Sequence, residues 1–185
     1  MAKVKGVAIL SRVAMLKERF GEEGLAAVLG RMKSQYTGIF GSVIPSSWYD
    51  GEIYVDFNKA IQRELSGKDP LIMEHLGEDS AAAGLQGIYS SRLKIGDVRM
   101  TLSRAGQLWK TFHDTGEMTV EMHPGENKAV FKLVGYELPH VESCWNLIGW
   151  GRSMVELSGG KNARVDKTKC VCKGDECCEM NVFWD

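Results

Sequence analysis

Apolar residues return every three or four positions through the N-terminal part of the chain, then every second position in two paired runs separated by one more helical stretch. A helix repeats every 3.6 residues and a strand every two, so this change of period predicts helices first, then hairpin, helix, hairpin. Val4 to Phe20 carries Val7, Leu10, Val13, Ala14 and Leu16 at helical spacing, and Gly21 can end it. Glu22 to about Lys33 repeats the pattern with Leu25, Val28, Leu29 and Met32. Pro45-Ser46-Ser47-Trp48-Tyr49-Asp50-Gly51 reads as a turn cluster, and Tyr54 to Leu65 as a helix with Val55, Phe57, Ile61 and Leu65 inward. Asp69-Pro70 offers an N-cap and a proline at the first helical position for a helix carrying Leu71, Ile72 and Leu76. Gly77 is expected to interrupt that helix, and Ser80-Ala81-Ala82-Ala83 to restart it toward Tyr89 and Leu93. One helix from about Asp97 to His113 places Val98, Leu102, Ala105, Leu108, Trp109 and Phe112 on one side.

Glu117–Met122 and Lys128–Val134 are strand-like runs joined by His123-Pro124-Gly125-Glu126-Asn127. A helix from about His140 to Leu157 is closed by Ser158-Gly159-Gly160. The last hairpin has arms near Ala163–Cys172 and Glu176–Phe183, turning at Lys173-Gly174-Asp175-Glu176. The expected fold is α+β: N-terminal helices packed on an antiparallel sheet of about four strands. Residues 1–185 form one domain in this reading, mainly helical over 1–113 and hairpin-helix-hairpin over 114–185.

At 185 residues, 44% of them hydrophobic, the chain can bury a sizeable core. A formal net charge of −1 gives no general attraction to nucleic acid or anionic lipid. The start lacks the pattern of a secretory signal, and no run approaches the roughly 18 apolar residues of a membrane span. A cytoplasmic protein is expected, and its terminal amphipathic helices suggest a homodimer. Four of the five cysteines, Cys170, Cys172, Cys177 and Cys178, lie in the tail, and in a reducing compartment such clusters are metal ligands or redox thiols. Alternation along a strand turns Cys170 and Cys172 to one side, where only one of Cys177 and Cys178 can join them. Whether Cys144, upstream on a helix, reaches them depends on the fold. The histidines, His75, His113, His123 and His140, are scattered, and no dinucleotide loop or nucleophile, base and acid set can be assembled.

Cys144-Trp145-Asn146-Leu147-Ile148-Gly149-Trp150 and Cys170-x-Cys172-x-Gly174-Asp175-x-x-Cys178 resemble the signature of the 4-vinyl-reductase (hydrocarbon-binding) domain family, most strongly between Trp109 and Trp184. That family includes the phenol- and toluene-sensing input domains of bacterial activators. It is related in fold to Golgi transport-particle subunits and to heme-based nitric oxide sensors. In its zinc-containing phenol sensors the resemblance maps ligands onto Cys144, Cys170 and Cys178. The fourth ligand, a glutamate there, is Lys167 here, a cation unsuited to zinc. Cys172 or Cys177 is the replacement, and with Cys172 the set becomes a closed structural site of four thiolates. The resemblance also implies an apolar pocket between sheet and helices. Trp109, Phe112, Phe131, Trp145, Trp150 and Met154 are its candidate walls, with His113 and Tyr136 as polar handles. Tyr89-Ser90-Ser91-Arg92 is similar to the heme sensors' tyrosine-serine-arginine signature, but its arginine comes one residue early, so heme is not expected.

These features lead to a binding or sensor domain for a small apolar or aromatic molecule, with a cysteine-rich zinc site and output through a separate effector protein. A tetrapyrrole vinyl reductase or accessory protein is the alternative, although no nicotinamide or flavin motif is present to supply electrons. A thiol redox switch or a scaffold subunit is a further one.

Overall fold

The N-terminus forms strand β1 (Lys3–Lys5), which passes directly into helix α1 (Gly6–Leu29). In the computed structural model, which describes residues 1–87 and 90–185, Gly21 bends this helix with φ 70° and ψ −177°. That conformation suits glycine, which has no Cβ to clash. The break expected at Gly21 is therefore a kink between two helical halves, both of which send residues (Met15, Leu16, Leu25, Val28) into one core. After α1 come a short helix α2 (Ser34–Thr37) and a 3₁₀ turn, Gly38–Gly41.

The turn cluster around Pro45 contains a short strand, β2 (Trp48–Asp50), paired antiparallel with β1 so that Val4 lies opposite Tyr49. Strands of three residues are too short to display a period of two. Helix α3 (Gly51–Leu65) begins before Tyr54 because the Asp50 carboxylate accepts the Glu52 backbone N–H at 3.0 Å and caps it.

Helix α4 (Ile72–Gln86) starts after the Asp69-Pro70 turn and runs through Gly77 without interruption. The glycine serves packing. Helix α4 crosses α7 (Val141–Leu157) here, where a Cβ on Gly77 would overlap the carbonyl of Asn146 and one on Gly149 the carbonyl of Glu74. The helix does not restart toward Leu93: Ser90–Arg92 is a 3₁₀ turn, and Tyr89 lies outside the described residues. The single helix expected over Asp97–His113 is two, α5 (Val98–Ser103) and α6 (Ala105–Phe112), divided at Arg104. The division lets α6 settle on the sheet, with Gly106 against the carbonyl of Met118.

Four strands, β3 (Glu117–Met122), β4 (Lys128–Val134), β5 (Arg164–Lys169) and β6 (Cys178–Phe183), form an antiparallel sheet in the order β3-β4-β6-β5. Phe131 lies opposite Val120 on one side and Met180 on the other. The buried residues of β4 and β6, including Ala129, Phe131, Met180 and Val182, share a core with Met154 and Val155 of α7. The expected α+β fold, helices first and then a four-stranded antiparallel sheet, is the one observed. The last hairpin departs from expectation in one respect. Strand β5 stops at Lys169 and Val171–Lys173 is a 3₁₀ turn, so Cys172 leaves the sheet and is exposed rather than sharing a strand face with Cys170.

Candidate functional site

A cavity of about 250 Å³ opens where the sheet-side helices meet α1 and α3. Its size begins with small residues. Ser80, Ala83, Gly84 and Gly87 follow one another at helical spacing along and just past α4, and Ala8 and Ser11 do the same on α1, so facing helices leave space between them. Larger side chains close the ends: Trp109, Phe112 and His113 from α6 and its C-cap, Tyr136 after β4, and Leu147 and Trp150 from α7.

The rings hold one another in place. Trp109 stacks on His113 with centroids 4.0 Å apart, and Tyr136 meets both edge-on, at 5.0 and 5.3 Å. The Trp109 indole N–H donates to the Thr115 carbonyl at 3.0 Å, which fixes the orientation of the stack.

Helix α3 contributes the polar part of the wall. Tyr54 and Asn58, one turn apart, both face the cavity. Arg12 of α1, 1% exposed, donates to the Tyr54 hydroxyl at 2.6 Å, while its Nε and Nη1 are buried without a partner among the described residues. His140 donates from Nδ1 to the Leu138 carbonyl at 2.8 Å, so its Nε2 accepts from the Asn58 amide at 3.1 Å. That tautomer fixes the Asn58 amide and leaves its Oδ1 buried with no donor among the described residues. The exposed part of His113 faces the cavity, deep in the molecule. Burial first, and then the positive charge at His140 and Arg12, hold its imidazole neutral down to about 3. Burial likewise pushes the Tyr136 phenol above its ordinary range, with the negative charges of Tyr54, Asp114 and Glu52 adding to it. Near neutral pH this wall therefore offers hydrogen bonds and ring faces, with both groups in their uncharged forms.

Of the pocket residues expected from sequence, Trp109, Phe112, His113, Tyr136 and Trp150 line the cavity. Phe131 and Met154 lie in the core between sheet and α7, and Trp145 faces a different cleft beside Gln62 and Pro70. The residues missed are those of α1, α3 and α4, with Ser143, Asn146 and Leu147 of α7. The α4 group carries a signal in the sequence, the stripe of small side chains from Ser80 to Gly87, which a criterion of bulky side chains passes over.

Behind Tyr136 and Leu147 a second space of about 180 Å³ reaches Cys144 and Cys178. The sulfurs of Cys144, Cys170 and Cys172 lie within 4.8 Å of one another, with Cys144 and Cys170 3.7 Å apart. Cys178, the other expected ligand, has the Lys167 ammonium 3.7 Å from its sulfur. A hydrogen bond from Cys144, with help from the Val171 backbone and Lys167, brings the Cys178 thiol down to about 5. Cys144 is pushed up by that same interaction and by burial, and keeps its proton. Cys177 is buried at the start of the returning arm.

No family model matches the chain, and no curated protein does. Solved structures do match over nearly the whole of it. An H-NOX protein from S. oneidensis in the Fe(II)NO ligation state superposes with a TM-score of 0.73 at 11% identity, covering 98% of this chain and 99% of that one. The Fe(II) unliganded H-NOX protein from K. algicida gives 0.71 at 10%, covering 98% and 96%. A structure from work on heme distortion in the H-NOX family gives 0.70 at 12%, covering 98% and 95%. The chain thus has the fold of H-NOX domains. Zinc, the cofactor expected from the cysteine spacing, is corrected by this result: the proteins that share the fold are described by iron and heme. Three of the four expected sulfurs gather, but the fourth, that of Cys178, has the Lys167 ammonium beside it.

Proposed function

We propose that this protein is a small-molecule binding and sensing domain, and that an apolar ligand with a hydrogen-bonding head occupies its cavity in the place of heme. The observation that carries this reading is the cavity itself, walled by aromatic rings and small residues and holding one buried acceptor, Asn58 Oδ1, that no described residue satisfies. Buried polar atoms are nearly always paired, so a ligand O–H or N–H is the natural partner. The resemblance to the hydrocarbon-binding domain family points the same way.

Heme belongs to neighbours of this fold, and the residues here do not fit it. About 250 Å³ lies below the range of roughly 300–1,000 Å³ typical of drug-sized ligands, and a porphyrin is larger than most of these. None of the described residues lining the cavity is Lys or Arg, so the two heme carboxylates would lack cations. The lining histidine, His113, has its face on Trp109 and its Nδ1 3.5 Å from the Tyr136 hydroxyl, and both ring nitrogens of His140 are engaged. Arg92 of the Ser90-Ser91-Arg92 turn donates to Gln107 instead of entering the cavity.

A ligand here would touch α1, α3 and α4 on one side and α6, α7 and Tyr136 on the other. Its arrival changes how the helices seat on the sheet, a change that a separate effector protein can read. The homodimer expected from the terminal helices belongs to this proposal, and sedimentation of the purified chain tests it. The ligand reading is tested by thermal shift with phenols and short aromatic alcohols on the wild type and on Gly84→Leu, which fills the cavity floor. Saturating ligand at about 100 times Kd stabilises the wild type by about 2.7 kcal/mol. Equal shifts in both proteins would contradict the site.

A further inference from the structure

The least satisfied group near the cavity is Arg12. It is buried, no described carboxylate lies within ion-pair distance, and two of its nitrogens have no partner among the described residues. Leaving a guanidinium charge unpaired in an interior is costly, and such charges are normally matched by an anion. The described residues supply none, and the molecule that enters the cavity can.

The path from Arg12 to the cavity runs through Tyr54. The Arg12 Nη2 donates to the Tyr54 oxygen at 2.6 Å, and the guanidinium carbon lies 5.6 Å from that ring. Because the oxygen already accepts from Arg12, the Tyr54 proton is free to be donated onward, and Tyr54 lines the cavity. A cation behind a hydroxyl makes it a stronger donor, and strongest toward a negatively charged acceptor. Tyr136, held in its neutral form, adds no negative charge that would cancel that positive field.

We propose that the cavity selects a monoanionic apolar ligand, a small carboxylic acid whose carboxylate accepts from the Tyr54 hydroxyl with the Arg12 charge behind it. This rests on the ligand-binding reading above and specifies the ligand's head. Tyr54 touches the ligand, and Arg12 acts through it as a positioning and polarising residue. Asn58 Oδ1, one helical turn away, remains available to a hydroxyl or amine elsewhere on the same molecule.

The test compares benzoate with nitrobenzene, which has the same shape without the charge, by isothermal titration of the purified full chain at neutral pH. The expected result is that benzoate binds at least about tenfold more tightly, and that Tyr54→Phe and Arg12→Met each bring the two affinities together. Arg12→Met keeps the volume of the buried side chain and removes its charge, and its folding is checked by circular dichroism. If it does not fold, the wild-type preference and Tyr54→Phe decide alone. Equal binding of the two probes, or preference for nitrobenzene, overturns the carboxylate proposal and leaves the cavity reading standing. Binding of neither overturns both.

Discussion

Gly77 and Gly149 sit at one helix crossing, each with its Cα against the backbone of the other's helix: Gly77 against the Asn146 carbonyl, Gly149 against that of Glu74. The crossing fixes α4 against α7, two helices that both line the cavity, with Ser80, Ala83, Gly84, Asn146, Leu147 and Trp150. Arg152 reinforces it, donating to Glu74 and Glu78 at 2.7 Å each.

Adding a methyl group at either glycine must push the helices apart. Gly77→Ala and Gly149→Ala are each expected to destabilise the protein by about 1–3 kcal/mol despite alanine's better helix propensity. Chemical denaturation measures this. An exposed glycine such as Gly67 is the control, since a Cβ there meets nothing.

Acid is expected to destabilise the fold through its buried imidazoles. His113 is lowered from 6.5 to about 3 by burial and then by the charge at His140 and Arg12, and His140 is lowered chiefly by burial. Between these values the unfolded chain binds more protons than the native one, so stability is fully present above about pH 6.5 and falls as the pH drops toward 3. One such group gives at most about 1.4 kcal/mol per pH unit. Urea midpoints from about pH 7 to about pH 4 measure the slope, and His113→Phe should flatten it.

Lys167→Met tests the thiol cluster. Removing the ammonium 3.7 Å from Cys178 is expected to raise that thiol above its value of about 5, seen as a loss of ultraviolet thiolate absorbance on the acid side of neutrality. An unchanged titration would mean that the hydrogen bonds from Cys144 and the Val171 backbone hold the thiolate without Lys167.

The fold was largely legible. The sheet strands Glu117–Met122 and Lys128–Val134 appear with the boundaries that alternation marked, and α7 starts one residue from the expected His140. What local pattern misread was set by distant contacts. Gly77 looks like a helix breaker until α7 lies across it, and Asp97–His113 looks like one helix until Gly106 must meet β3. The cavity was half legible for the same reason. Aromatic residues near Trp109 stand out in any sequence, whereas empty space between Ala8, Ser11 and the small face of α4 exists only after the helices pack. Arg12 is one of the cations in the sequence of the first helix, and the fold shows it buried on Tyr54.

The most direct measurement is native mass spectrometry of the chain purified from heme-supplied cells, read before and after mild denaturation. The expected result is a heme-free protein that retains, or takes up when offered, one small apolar molecule per chain. Heme at one per chain, with its visible absorbance lost in His113→Ala, would contradict it.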